Sequence, residues 1–228
     1  SQIGETDDIT FLVANELSCT PYIGAASPLN RYPDKQPGDL ISRLSQLYAT
    51  APRNLLVTRG ADEAIELAIR AFCVPGEDNL IICPPTFPIY EHAATIQGAE
   101  TRHAPLKADF SLDINKIRSV SDNNTKVIFL CTPNNPTANP IDTQDIDTIC
   151  REMEGKALVV VDETYIEFAN TGQSMAAAIE EHSNLLVLRT LSKAYAGAGL
   201  RCGAAIGHSA VVELLSKILP AYPIPRPV

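Results

Sequence analysis

The sequence predicts an α/β fold in which a three-layer α/β/α domain is built around a mostly parallel sheet. Two observations support this prediction. Short apolar runs of strand length alternate with longer segments of helical periodicity, and the runs at 158–161 and 185–188 are apolar throughout. Fully apolar strands are typical of a sheet that helices cover on both faces. Strand–helix alternation of this kind indicates parallel strands joined by crossover helices.

The predicted elements begin with a strand at 55–57 and a helix at 61–72, in which apolar residues recur every third or fourth position. Glu66 and Arg70 form a favourable i,i+4 pair on this helix. Asp142 is a predicted helix N-cap. The other predicted strands cover 80–83, 127–131, 158–161 and 185–188, and the other predicted helices cover 89–96, 142–153 and 210–219.

The composition excludes several classes of protein. A formal net charge of −9 argues against nucleic acid or an anionic membrane surface as a partner. No apolar stretch has the length of a membrane span or the form of a signal peptide. The four histidines show no metal-ligand spacing, so we expect no metal. The six cysteines are scattered without a C-x-x-C pair, which indicates reduced thiols in a cytoplasmic protein.

Polar residues follow the predicted strands, at the edge of the sheet where α/β folds bind ligands. Ala61 and Asp62 open a helix after the strand at 55–57, and the free N–H groups of a helix start can hold a phosphate. The alternative is a simple tight turn. Asn135 follows the strand at 127–131, where its amide could donate to a phenolate oxygen or merely form a turn.

The other two strand ends carry charged residues. Asp162 ends an apolar strand, where a carboxylate is costly unless paired with a pyridinium N–H, a lysine or an arginine. Lys193 follows the strand at 185–188, and Arg201 lies eight positions further on. A lysine amine can form a Schiff base with an aldehyde, and an arginine can grip a phosphate. Taken alone, Lys193 is more often a surface lysine in a glycine-rich loop, and only the rest of the chain reverses that interpretation.

Together and in this order, these segments resemble the fold-type I enzymes that depend on pyridoxal phosphate (PLP), and within them the histidinol-phosphate aminotransferases. The resemblance extends over essentially the whole chain. The residues that carry it are LNRYP at 29–33, RGADE at 59–63, PPTF at 84–87, PNNPT at 133–137, DETY at 162–165 and RTLSK at 189–193.

The resemblance implies a role for each matching residue. Lys193 would attach the cofactor covalently and shuttle the substrate proton, Asp162 would pair with the pyridine nitrogen, and Tyr165 would bond the 3-oxygen of the ring. These three are the implied catalytic residues. Asn15 and Glu16 would lie near the substrate. The implied cofactor-binding residues are Ala61, Asp62, Phe87, Asn135, Asp162, Tyr165, Thr190, Ser192, Lys193, Arg201 and, from the neighbouring subunit of a homodimer, Tyr32.

The chain also departs from the pattern of this family. Alanine stands at 138 where glycine is usual, which would cost about 1 kcal/mol if the turn needs a positive φ. Thr164 replaces a common alanine, a change we expect to matter little. The resemblance implies an N-terminal arm over 1–28, a PLP-binding large domain over 29–219, and a proline-rich linker over 220–228 towards an absent small domain. We therefore expect an incomplete enzyme.

The implied reaction is transamination between L-histidinol phosphate and 2-oxoglutarate or glutamate, in histidine biosynthesis. Two other enzyme classes remain open, a PLP-dependent decarboxylase of a phosphorylated amino acid and an aromatic or aspartate aminotransferase. The non-enzymatic alternatives are a PLP-binding sensor domain of a transcription regulator and a non-catalytic remnant. The sensor would need a basic DNA-binding module, which this acidic chain lacks.

Overall fold

The computed structural model describes residues 32–169 and 174–225. Within these ranges the chain forms a seven-stranded sheet in the order β1-β7-β6-β5-β4-β2-β3. Six strands are parallel to one another, and β7 runs antiparallel to both of its neighbours. The strands are β1 (Leu55–Thr58), β2 (Asn79–Ile82), β3 (Glu100–His103), β4 (Thr125–Cys131), β5 (Leu158–Asp162), β6 (Leu185–Thr190) and β7 (Gly203–Gly207).

Helices cover both faces of this sheet. Apolar side chains of α1, α4 and α5 pack on one face, and those of α2, α3 and α6 pack on the other. Strand β5 shows why both layers are needed, since Val159 and Val161 contribute to the first cluster while Leu158 and Val160 contribute to the second. The predicted three-layer α/β class is therefore confirmed. The helices are α1 (Gly38–Leu47), α2 (Gly60–Phe72), α3 (Ile89–Gln97), α4 (Ile114–Val120), α5 (Thr143–Glu152) and α6 (Ser209–Ile218).

The parallel strands at the centre bring the polar segments together. In the register of β4 with β5, Cys131 is opposite Asp162, and in that of β5 with β6, Asp162 is opposite Leu188. The chain leaves all three strands at the same edge of the sheet. The loops that carry Asn135, Tyr165 and Lys193 therefore begin side by side.

Two strands were absent from the sequence prediction. Strand β3 is an edge strand with exposed and half-buried polar residues, so it lacks the apolar run that marks the central strands. Strand β7 contains Gly203, where an added Cβ would lie 2.8 Å from the Arg189 carbonyl oxygen and 2.8 Å from the Gly60 carbonyl carbon. Close backbone packing thus requires a glycine there, and glycine weakens the sequence signal for a strand.

The remaining predictions have mixed outcomes. Asp142 accepts a hydrogen bond from the backbone N–H of Gln144 as the N-cap of α5, as predicted. All five cysteines within the described ranges are free and buried, and Cys19 lies outside them. The predicted arm at 1–28 also lies outside, and the linker boundary at 220 stays a prediction, although Ile224 is buried in the apolar cluster of α1, α4 and α5. None of the described helices is long and apolar enough to cross a bilayer.

Candidate functional site

A cavity of about 360 Å³ opens beside the C-terminal ends of the central strands. All of the predicted cofactor-binding residues except Tyr32 line it, as do three residues that sequence reasoning missed, Cys131, Thr164 and Ala198. The full lining consists of Ala61, Asp62, Phe87, Cys131, Asn135, Asp162, Thr164, Tyr165, Thr190, Ser192, Lys193, Ala198 and Arg201.

One part of the cavity, which we call the phosphate cradle, comprises Thr190, Ser192, Arg201 and the first turn of α2. Helix α2 begins at Gly60 with a φ of 78°, and an added Cβ there would lie 3.0 Å from Arg201 Nη2. Glycine at this position therefore provides both the left-handed turn and the room for the arginine. The Thr190 and Ser192 hydroxyl oxygens are 3.0 Å apart.

Arg201 is the cation of the phosphate cradle. Its Nη2 donates to Asp62 Oδ2 at 3.2 Å and to the Arg59 carbonyl oxygen at 3.3 Å, while its Nη1 lies 3.5 Å from Ser192 Oγ. The backbone of Arg201 has a φ of 51°, a left-handed conformation that is uncommon for an arginine. The guanidinium, two hydroxyls and the positive end of a helix thus line one region, which suits a phosphate dianion.

A second group, which we call the carboxylate clamp, comprises Asp162 and Thr164, which line the cavity, and the buried Tyr90, which is not part of the lining. Asp162 is the last residue of β5 and is only 2% exposed. Its Oδ2 accepts a hydrogen bond from the Tyr90 hydroxyl at 2.7 Å, and its Oδ1 accepts from the Thr164 hydroxyl at 2.6 Å and the Thr164 N–H at 3.0 Å. Burial raises the pKa of Asp162, and the bonds from Thr164 and Tyr90 lower that pKa in part.

The other predicted residues that line the cavity are Lys193, Tyr165, Asn135 and Phe87. Lys193 Nζ is 5.9 Å from the centroid of the Tyr165 ring, and Asn135 Nδ2 donates to the Tyr165 hydroxyl at 3.5 Å. Phe87 packs edge-to-face against Tyr90, with ring centroids 5.7 Å apart. An amine, a phenol, an amide and an aromatic face therefore line the same cavity as Asp162.

A charged cluster lies directly behind the carboxylate clamp. Glu163 is fully buried, accepts hydrogen bonds from Ser174 Oγ and the Met175 N–H, and lies 3.5 Å from Arg189 Nη1. Burial raises the pKa of Glu163 to about 7. Arg189 also donates to Glu167. Sequence reasoning placed Glu163 and Arg189 within the family segments and gave neither a role.

Three predicted positions lie apart from the cavity or outside the described chain. Tyr32 is 77% exposed and stacks on Tyr222 with ring centroids 4.4 Å apart, so this chain's Tyr32 does not line its own cavity. A contribution from a second subunit, as the resemblance implies, stays a prediction. Asn15 and Glu16 lie outside the described residues.

The residues of the cavity fit pyridoxal phosphate. The buried carboxylate of Asp162 matches a ring N–H, the amine of Lys193 matches an aldehyde, and the phosphate cradle matches the phosphate. The observation that decides the fit is the Asp162 carboxyl, because it is buried, lines the cavity and keeps an acceptor position on Oδ2 that can take a ring N–H. No group of three or more potential metal ligands exists among the residues that the structure describes.

Comparison with known proteins gives three findings. The chain is 44% identical over all 228 residues to a histidinol-phosphate aminotransferase of Pectobacterium atrosepticum and covers 63% of that protein, less than two thirds of its length. A histidinol-phosphate aminotransferase of Sinorhizobium meliloti, solved with pyridoxal-5'-phosphate, superposes with a TM-score of 0.80 at 22% identity, over 87% of this chain and 54% of that one. An L-threonine-O-3-phosphate decarboxylase of Porphyromonas gingivalis superposes with a TM-score of 0.73 at 23% identity, over 86% and 60%.

These two structural likenesses establish the fold alone, because an aminotransferase and a decarboxylase share it. Family membership rests on the sequence instead. The family model described as aminotransferase class I and II matches residues 4–228. The chain therefore belongs to the aminotransferase class I and II family.

Proposed function

We propose that this protein is a PLP-dependent aminotransferase that moves an amino group between L-histidinol phosphate and 2-oxoglutarate. The observation that carries the proposal is one cavity lined by Lys193, Asp162, Tyr165 and Arg201. The 44% identity to a histidinol-phosphate aminotransferase over the whole chain supports the choice of substrate.

Lys193 is the proposed covalent anchor and proton carrier. Bound pyridoxal phosphate supplies an aldehyde for attachment and a ring that takes up the electron pair left at the substrate Cα. Lys193 Nζ removes the proton from Cα and later returns it, a role that needs the amine inside the cavity.

Asp162, Tyr165 and Asn135 set the charge on the cofactor ring. The Asp162 carboxylate, which lines the cavity, would bind the ring N–H and favour the protonated nitrogen. The Tyr165 hydroxyl and the Asn135 amide, which lie 3.5 Å apart, would donate to the 3-oxygen. Phe87, also in the cavity lining, would pack against one face of the ring.

The phosphate cradle is the part of the proposed site that retains the cofactor. Ser192, Thr190 and the N–H groups of Ala61 and Asp62 line the cavity and would donate to the phosphate, together with Arg201. Since Arg201 Nη2 lies 3.2 Å from Asp62 Oδ2, a bound phosphate competes with that carboxylate for the guanidinium. The backbone groups of α2 are unaffected by this competition.

We further propose a cytoplasmic homodimer. Tyr32 is highly exposed on its own subunit, and that exposure suits a side chain that reaches the cradle of a second copy. Five buried free thiols are consistent with a reducing compartment. The partners are then small-molecule substrates and a second copy of the chain, with no role for nucleic acid or membrane.

The experiment presents the complete gene product with L-histidinol phosphate, aspartate and O-phosphothreonine in turn, while the absorbance of bound cofactor is followed. Histidinol phosphate should convert the cofactor to its amino form, and 2-oxoglutarate should restore it. Lys193→Ala is the control that should abolish both changes. Carbon dioxide release from O-phosphothreonine would instead establish a decarboxylase, and bound cofactor with no turnover of any substrate would favour a sensor.

A further inference from the structure

The hydrogen bonds around Asp162 assign a role to two residues that the family resemblance leaves without one. A carboxylate has about four acceptor positions, two on each oxygen. Thr164 occupies both positions on Oδ1 through its hydroxyl and its backbone N–H, and Tyr90 occupies one on Oδ2. By this count one acceptor position remains, and it belongs to Oδ2.

Packing holds the Tyr90 ring in position to donate a hydrogen bond from its hydroxyl to Asp162 Oδ2. It is completely buried on α3 and stacks on Phe129, with ring centroids 4.6 Å apart. Burial and the adjacent Asp162 carboxylate raise the pKa of Tyr90 well above its ordinary value, so the hydroxyl keeps its proton. The same ring packs edge-to-face against Phe87, so one side chain touches both Phe87 and Asp162.

Thr164 holds the other oxygen of the Asp162 carboxylate, Oδ1. Its hydroxyl and N–H approach Oδ1 within the turn that follows β5, and the residue lines the cavity. The expectation that threonine in place of alanine changes little overlooked this hydroxyl. An alanine would keep the backbone bond and lose the 2.6 Å one.

We propose that Tyr90 and Thr164 are positioning residues that keep the shared proton on the ring nitrogen of the cofactor and direct the ring N–H to Asp162 Oδ2. This inference rests on the proposed function. Donors to a carboxylate stabilise its charged form and lower its affinity for a proton. The proton between Asp162 and the ring then stays on the ring, where it makes the ring a stronger electron acceptor.

The test places isotopically labelled pyridoxal phosphate in the complete gene product and follows the ring nitrogen by NMR, since its signal distinguishes pyridine from pyridinium. The wild type should give the pyridinium signal. Tyr90→Phe should shift it furthest towards pyridine, because it leaves Oδ2 with no donor except the ring. Thr164→Ala should shift it less, because the backbone N–H remains.

Two matched variants distinguish the loss of a hydrogen bond to Asp162 from a general effect on core packing. Thr164→Ser keeps the hydroxyl and should retain the wild-type signal. Tyr48→Phe removes a buried hydroxyl that has no hydrogen-bond partner among the described residues, and it should leave the signal unchanged. If Tyr90→Phe does not fold, Thr164→Ala against Thr164→Ser decides the question.

The outcomes are distinguishable. Bound cofactor on Lys193 with the wild-type ring signal in both Tyr90→Phe and Thr164→Ala overturns this inference and leaves the proposed function intact. A complete protein that binds no pyridoxal phosphate overturns both.

Discussion

Asp162 of the carboxylate clamp and Arg201 of the phosphate cradle line the same cavity but differ in their exposure to solvent. Asp162 in the clamp is 2% exposed, and donors from α3 and the turn after β5 hold both of its oxygens. Arg201 in the cradle has a side chain that is 47% exposed, and it pairs with the equally exposed Asp62. A buried group interacts strongly with a few fixed partners, whereas an exposed pair is weakened by water and salt. We therefore expect the clamp to govern the chemistry and the cradle to govern cofactor retention.

Lys193→Ala should have the largest effect, because it removes the amine that is the proposed covalent anchor and proton carrier. The rate of transamination should fall at least about a thousandfold, since a positioned proton carrier and the covalent anchor are both lost. Borohydride reduction followed by peptide mapping should place a pyridoxyl group on Lys193 in the wild type. A label on any other lysine would contradict the assignment.

Asp162→Asn should impair catalysis far more than it impairs cofactor binding. The amide cannot balance a ring cation, so kcat should fall on the order of a hundredfold while cofactor affinity changes only a few-fold. Equilibrium binding of pyridoxal phosphate and single-turnover rates measure the two effects. If Asp162→Asn lost cofactor affinity and kept kcat, it would contradict the expectation that the clamp governs the chemistry.

Arg201→Ala should show the opposite pattern. Losing a charge-assisted contact to phosphate should weaken cofactor binding about tenfold, with a smaller change in kcat at saturating cofactor. Arg201→Lys is the matched variant, and it should recover only part of the affinity because an ammonium lacks the two-pronged geometry. Added salt should weaken binding in the wild type more than in Arg201→Ala.

The sequence was sufficient to predict the residues at the strand ends. Asp162, Lys193 and Asn135 follow apolar strands, and a parallel sheet brings such positions to one edge whatever the details of the loops. The central strands were predictable for the same reason, because buried strands have a continuous apolar run.

Neither Tyr90 nor β7 could be predicted in the same way. Tyr90 lies on a helix 72 positions from Asp162, and a tyrosine on an apolar helix face has the pattern of a core residue. Strand β7 follows the Arg201 turn, and its glycines reflect close backbone packing that only the folded chain reveals. The predicted contact of Tyr32 lies on a second subunit and stays a prediction.

Glu163 extends the comparison, since it is a buried carboxylate next to Asp162 in the chain that does not line the cavity. Burial raises the pKa of Glu163 from 4.5 to about 7, against the opposing bonds from Ser174 and Met175 and the nearby Arg189. A folded-state pKa above the unfolded value means that the contribution of Glu163 to stability is present at low pH and is lost as the pH rises through about 7.

Glu163→Gln removes this titration. The wild-type free energy of unfolding should fall between about pH 5 and pH 8 by about 1–2 kcal/mol more than that of the variant. Denaturant unfolding at several pH values measures the difference. Glu213→Gln, at an exposed position of α6, is the matched control and should leave the pH dependence unchanged. If the free energy of unfolding changed equally with pH in Glu163→Gln and in the wild type, Glu163 would stay ionised throughout this pH range.

Ala138→Gly should have the smallest effect, and it tests the loop that carries Asn135. Ala138 has a φ of 61°, and its N–H donates to the Asn134 carbonyl oxygen at 2.7 Å. Alanine in this conformation costs roughly 1–2 kcal/mol, and glycine costs about 0.5–1 kcal/mol in chain entropy, so the net stabilisation should lie between zero and about 1.5 kcal/mol. Ala71→Gly within α2 should destabilise by about 1 kcal/mol, because the backbone there is helical. Since glycine keeps the loop in place, cofactor affinity should stay within about twofold, and a larger change would mean that the strained alanine helps to position Asn135.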